Sequence, residues 1–170
     1  GAGDYERLWL TTSLRGIAAG TLSVEVLTEG VHSGDASGVV PSSFRIARRL
    51  LDRIEDSMSG RILPAAFHAP IPDERVAQAR VASGILGETM VKRFPWSGRT
   101  RPMVDGNAEV VLNRTWRPAL SITGADGLPP IANAGNVLRP ATKLKLSLRI
   151  PPTLDGEQAT AELKALLEAD

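Results

Sequence analysis

Two strands of regular apolar–polar alternation, one near each end of the chain and each leading into an amphipathic helix, predict an α+β fold. Between these halves lies a stretch broken by Pro64, Pro70, Pro72, Pro95 and Pro102, which predicts a long, partly helical insertion over residues 58–116. Leu8–Leu14 reads as a first strand, leading through Arg15-Gly16 into residues 20–28. There Leu22, Val24 and Val26 share one face, and Thr21, Ser23 and Glu25 share the other, the pattern of a half-buried strand. A polar loop follows, and Pro41 then opens a helix of about four turns to Asp56, with Phe44, Ala47, Leu51 and Ile54 as its apolar stripe. Its outer face carries Arg45, Arg48, Arg49 and Arg53, read as a solvated face partly neutralised by Asp52, Glu55 and Asp56.

Within the insertion, helices are expected over about Asp73–Leu86 and near Asn107–Arg114. Ala119–Thr123 is a short strand ending in the turn Gly124-Ala125-Asp126-Gly127. Thr142–Ile150 gives the clearest strand signal: Leu144, Leu146, Leu148 and Ile150 alternate with Lys143, Lys145, Ser147 and Arg149 until Pro151-Pro152 stops them. Asp155 caps a closing helix, with Gln158 three residues on and Leu163, Leu166 and Leu167 as its buried stripe. The order strand, helix, insertion, strand, strand, helix is close to the ferredoxin-like plan, with all 170 residues in a single domain. That plan calls for one more strand beside the first.

Composition narrows the function classes. A chain of this length buries roughly 70% of its unfolded surface. A formal net charge of +1 gives no global attraction to nucleic acid or acidic lipid. No apolar run reaches the roughly 20 residues of a membrane span. With no cysteine, disulfides and thiolate metal sites are excluded, which fits a cytoplasmic home. Asn113-Arg114-Thr115 matches a glycosylation sequon by chance in a chain without secretory signals.

The residues that could carry chemistry are few. His32, one of two histidines, stands in the glycine-broken loop Gly30–Pro41, where a polar side chain is held between two rigid elements. It is either an ordinary loop histidine, a donor to a developing oxyanion, or a ligand completing a site built elsewhere. No nucleophile with its base, no histidine pair at metal spacing and no phosphate-cradling glycine motif accompanies it. Arg149 stands opposite the leucines just before the proline stop, where its fork could take a carboxylate in two parallel bonds or cover the open sheet face. His68, among Phe67, Ala69 and Pro70, reads as a packed or surface loop residue.

The segment GVHSGDASGVVPSSFRIARRLLDRIED resembles the opening of the lid, or dimerisation, domain of dinuclear zinc exopeptidases. That family includes carnosinase-type dipeptidases, succinyl-diaminopimelate desuccinylase, glutamate carboxypeptidase and aminoacylase. Leu14-Arg15-Gly16, His32-Ser33-Gly34, Asn136-Val137-Leu138 and Ser147-Leu148-Arg149-Ile150-Pro151-Pro152 match its pattern in order and approximate spacing. The long insertion resembles the dipeptidase branch most.

The resemblance implies a parent metallopeptidase whose separate catalytic domain binds two zinc ions, or another divalent metal, while the lid contributes no metal ligand. It implies that His32 contacts the substrate near its scissile carbonyl in the partner subunit's site, that Arg149 grips the free carboxylate, and that Asn136 lines the pocket, although Thr is common there. It further implies a homodimer through the lids, with the helix over Pro41–Asp56 and the strand over Thr21–Thr28 as the expected interface. The substrate would be a dipeptide or N-acyl amino acid. On this reading residues 1–16 connect to a catalytic domain outside the chain, and the isolated lid is inactive. The alternative is a free-standing ferredoxin-like module that dimerises or binds a small ligand without catalysis.

Overall fold

The computed structural model describes residues 3–169. Its main sheet has three antiparallel strands, β1 (Gly16–Glu25), β3 (Ala119–Asp126) and β5 (Ala141–Ile150), in the order β1-β5-β3. A second ribbon pairs β2 (Val31–His32) with β4 (Val137–Leu138). The helices are α1 (Ser33–Ala36), α2 (Ser43–Leu51), α3 (Asp73–Leu86), α4 (Thr89–Lys92), α5 (Asn107–Thr115) and α6 (Gly156–Glu168). Short 3-10 turns occur at Ala65–Phe67 and Ile131–Asn133.

β5 is central because its sequence suits a strand with a neighbour on each side and one face buried. Leu144, Leu146, Leu148 and Ile150 are buried, whereas Lys143, Lys145 and Arg149 are exposed on the opposite face. On the buried side α2 packs against β1 and β5, and α6 packs against β1. Ser42 and Asp155 cap these helices, accepting from the amides of Arg45 and Gln158 at 3.3 and 2.8 Å. Ala18, Leu22, Ala47, Ile54, Phe67 and Leu163 complete one continuous core with the β5 leucines. A smaller cluster of Ala79, Leu112 and Trp116 joins α3 to α5.

The closing helix, the two insertion helices and β5 thus follow the sequence pattern, and five expectations need correction. Leu8–Leu14 forms no strand: it has no ladder partner among the described residues, and Leu8, Leu10 and Leu14 are exposed. β1 instead begins at Gly16, its first half hidden by the weak strand preference of Gly16, Ala18, Ala19 and Gly20. The helix expected to reach Asp56 ends at Leu51, where the Ile54 amide tightens onto the Leu51 carbonyl and Asp56 turns to accept from the amides of Met58 and Ser59. Ser43 rather than Phe44 is buried on its first turn, and Phe44 lies exposed beneath the Arg48 guanidinium at 5.8 Å. None of Arg45, Arg48, Arg49 and Arg53 has a carboxylate within ion-pair range among the described residues; Arg53 donates to the carbonyls of Leu166 and Ala169 instead. Finally, β3 continues to Asp126 through a bulge between Ile122 and Gly124. The turn comes at Gly127, with φ 90°, where a Cβ would collide with the Ala141 carbonyl.

One buried polar contact joins the two layers. The hydroxyls of Ser43 on α2 and Thr142 on β5 lie 2.9 Å apart, both inaccessible to solvent, with the Arg139 carbonyl 3.5 Å from Ser43. Thr142→Val keeps the shape but leaves Ser43 short of a partner, and should destabilise the fold by about 1–3 kcal/mol. The double variant with Ser43→Ala should recover part of that loss, as a chemical-denaturation cycle over the four proteins would measure.

Candidate functional site

The β2–β4 ribbon brings together two residues 104 positions apart (136 − 32) in the sequence. His32 pairs with Val137, and the Ser33 amide donates to the Asn136 carbonyl at 2.9 Å. The backbone of Asn136 is therefore committed, whereas its side chain is exposed beside the His32 loop.

His32 is the residue that caps α1. Its backbone is extended, with φ −61° and ψ 125°, and its Nδ1 accepts from the Gly34 amide at 3.2 Å. An Nδ1 that accepts carries no proton, so this contact assigns the neutral imidazole's proton to Nε2. Nε2–H is then a hydrogen-bond donor on an exposed ring. Gly34 has a steric role as well: a Cβ there would stand 2.8 Å from the ring's Cε1 and 3.0 Å from Nδ1. Asp35 reaches to 3.8 Å of Nδ1 with a fully solvated carboxylate, an arrangement with little energetic weight.

Arg149 lies elsewhere. It occupies the far end of β5, opposite Ile17 of β1 and Ala119 of β3, on the exposed face of the sheet. Eight residues separate it from Ala141 at the β4 end of the strand, about 26 Å at roughly 3.3 Å per residue. His32 and Asn136 thus form one group and Arg149 another, too far apart within one chain to hold a small substrate between them.

Sequence reasoning passed over the neighbours of Arg149. Arg15 donates through Nη1 to the Arg117 carbonyl at 3.0 Å. Burial holds its guanidinium below the usual arginine range, and the charges of Arg149 and Arg114 push it in the same direction. The only signal available was positional, since Arg15 precedes β1 by one residue and shares the end of the sheet with Arg149 once the register is known. Arg117 itself is neutralised by Glu109 at 2.6 Å and bonded to Asn113 at 2.7 Å.

His68 donates or accepts through Nε2 at the Ile62 carbonyl, 2.7 Å away, in keeping with its reading as a loop residue. No group of three or more His, Asp or Glu side chains among the described residues could hold a metal ion. A groove of about 440 Å³ runs along the free edge of β1 beneath α6, with Leu22, Leu50, Leu146 and Leu163 in its lining. It includes none of His32, Asn136 and Arg149. No helix among the described residues is long and apolar enough to cross a membrane.

Replacing Gly34 by Ala should displace the imidazole and loosen the cap of α1. In the neutral ring of the parent sequence, ¹⁵N–¹H correlation should show the proton on Nε2 and none on Nδ1; the Gly34→Ala variant should shift toward a mixture of tautomers.

The chain matches the family model described as the peptidase dimerisation domain over residues 12–170. Among solved structures, it resembles human carnosine dipeptidase 1 with a TM-score of 0.73 at 21% identity, covering 95% of this chain and 35% of that one. Against the di-peptidase Dug1p from Saccharomyces cerevisiae the TM-score is 0.65 at 24% identity, covering 92% and 33%. A metallo-carboxypeptidase from Sulfolobus solfataricus, Sso-CP2, gives 0.69 at 16%, covering 92% and 40%. The chain therefore spans between a third and two fifths of the length of these proteins. No curated protein sequence matches it.

Proposed function

We infer the function from a premise that the match over residues 12–170 establishes: the chain belongs to the peptidase dimerisation domain family. From it we propose that the chain is the dimerisation and substrate-binding lid of a dipeptidase- or carboxypeptidase-type metallopeptidase. The order β1-β5-β3, with α2 and α6 on one face, supports a ferredoxin-like plan in which the free edge of β1 is the place of a further strand. Residues 1–16 would be a connector and residues 58–116 an insertion carrying α3, α4 and α5.

The observation that carries the reading is the separation of His32 and Asn136 from Arg149 along β5. In a two-fold dimer, the His32–Asn136 group of one subunit and Arg149 of the other would complete a single site. The exposed Nε2–H of His32 would donate to the carbonyl oxygen that gains negative charge, Arg149 would hold the free carboxylate of a dipeptide or N-acyl amino acid, and Asn136 would line the pocket. The described residues do not fit a zinc centre, so the two zinc ions of this reading would be held by ligands outside them. A cytoplasmic setting agrees with the absence of cysteine.

For the dimer contact we propose α2 together with β3. The sequence points to the strand over Thr21–Thr28; on the ferredoxin-like reading a further strand would take the free edge of β1, which would leave the free edge of β3 for a second copy. β3 presents unpaired backbone groups and a half-exposed Ile122 there. Light scattering of the chain should show a dimer, and Ile122→Lys should weaken it.

In the parent enzyme, His32→Ala should chiefly lower kcat, by a hundredfold or more for a loss of roughly 3 kcal/mol. Arg149→Ala should raise KM for substrates with a free carboxylate, a loss on the order of 2–5 kcal/mol. Metal content should stay unchanged in both. Mixing the His32→Ala subunit with one lacking a metal ligand should restore activity, because the two defects then fall on one site; no recovery would sink the cross-subunit role.

A further inference from the structure

Arg15 must cross the end of β5 to make its side-chain hydrogen bond with the Arg117 carbonyl. It precedes β1, on one side of β5, yet its guanidinium reaches the carbonyl of Arg117, which precedes β3 on the other side. Arg149 stands on β5 at that crossing, flanked by Ile17 and Ala119, each two residues beyond one of the two arginines. Residues paired across an antiparallel ladder share a face, and so do residues two apart in an extended chain. Arg15 and Arg149 therefore lie on the same face, near enough for the charge of Arg149 to act on Arg15. Arg114, in the last turn of α5, is one turn of chain before the carbonyl that holds Arg15.

Among the described residues no carboxylate lies within ion-pair range of Arg15, Arg114 or Arg149, although Arg117 beside them has Glu109 at 2.6 Å. Like charges held together, one of them half-buried and fixed by a backbone bond, repel with no carboxylate among the described residues in ion-pair range to relieve them. An anion that brings more than one negative charge relieves them best.

We propose that Arg15 and Arg114 extend the Arg149 carboxylate site into a subsite for a second negative charge, so that the ligand is a dicarboxylate: a dipeptide or N-acyl amino acid ending in Asp or Glu. This rests on the assignment of Arg149 to the free carboxylate. Arg149 takes the α-carboxylate, and Arg15, its guanidinium plane set by the Arg117 carbonyl, takes the side-chain carboxylate with Arg114 adding charge behind it. Arg15 is then a specificity-determining residue and no part of the bond-breaking chemistry.

The test titrates the chain, followed by NMR, with N-acetylalanine, N-acetylglutamate and inorganic phosphate. N-acetylglutamate should bind about tenfold more tightly than N-acetylalanine, the contribution of one added charge-assisted contact. Arg15→Gln and Arg114→Gln should each move that ratio toward one, whereas Arg15→Lys, which keeps the charge and a donor for the Arg117 carbonyl, should retain part of it. A melting curve on each variant separates a lost subsite from a lost fold, and Arg114→Gln, on an exposed residue, serves if Arg15→Gln unfolds. A ratio near one in the parent sequence, or a ratio indifferent to both Gln variants, overturns the subsite. Phosphate binding as tightly as N-acetylglutamate overturns the dicarboxylate assignment in favour of a general anion site. Arg149→Gln should weaken both amino-acid ligands; if it weakens neither, the carboxylate assignment beneath the proposal fails, a result distinct from the others.

Discussion

β5 is bonded on both edges, and the placement of every other element in the main layer follows from that constraint. Each of its four buried apolar side chains contributes on the order of 1.5–3 kcal/mol by leaving water. Because side chains alternate strictly along a strand, a slip of one residue would send Lys143, Lys145 and Arg149 into the core and the leucines into solvent. Register is therefore tightly specified. It fixes Arg149 opposite Ile17 and Ala119 at one end of the strand, and at the other end it sets where the chain leaves β4. The distance between the two groups of polar residues is in effect the length of this one strand.

How much of this the sequence discloses depends on how local the deciding interaction is. The alternation in β5, the Asp155 cap of α6 and the limits of α3 are set by residues close to one another, and they are legible. The end of α2 is less so, because Asp56 carries both the signature of a helix-surface charge and that of a turn former, and only its bonds to the following amides decide between them. Leu8–Leu14 has strand-like composition without a partner, and no pattern within a segment reveals that. β3 outruns its expected end because a bulge at Thr123 lets the ladder continue through Gly124, a residue that otherwise reads as a turn.

The same distinction governs the polar residues. His32 stands out in the sequence because histidines are scarce and its loop is short. Its proton position was not legible, since it depends on the Gly34 amide lying in reach of Nδ1. Arg15 meets the carbonyl of Arg117 across 102 residues, a contact that exists only once β1 and β3 flank β5. The glycine in His32-Ser33-Gly34 gains a reason from the structure that spacing does not supply: the imidazole rests where a methyl group would be.

The two polar groups also differ in how firmly they are mounted. Arg149 belongs to a strand laddered on both sides along its length, above a closed core, and such backbone opens only with the fold as a whole. His32 rides on a ribbon two residues long, extended by the single bond from Ser33 to Asn136, and a ribbon of that size has little cohesion of its own. A ligand would thus meet a rigid anchor at one end and an adjustable arm at the other. On the proposed reading, Arg149 would hold the acidic end of the ligand before the imidazole arrives, and the His32 loop would follow differences in ligand length.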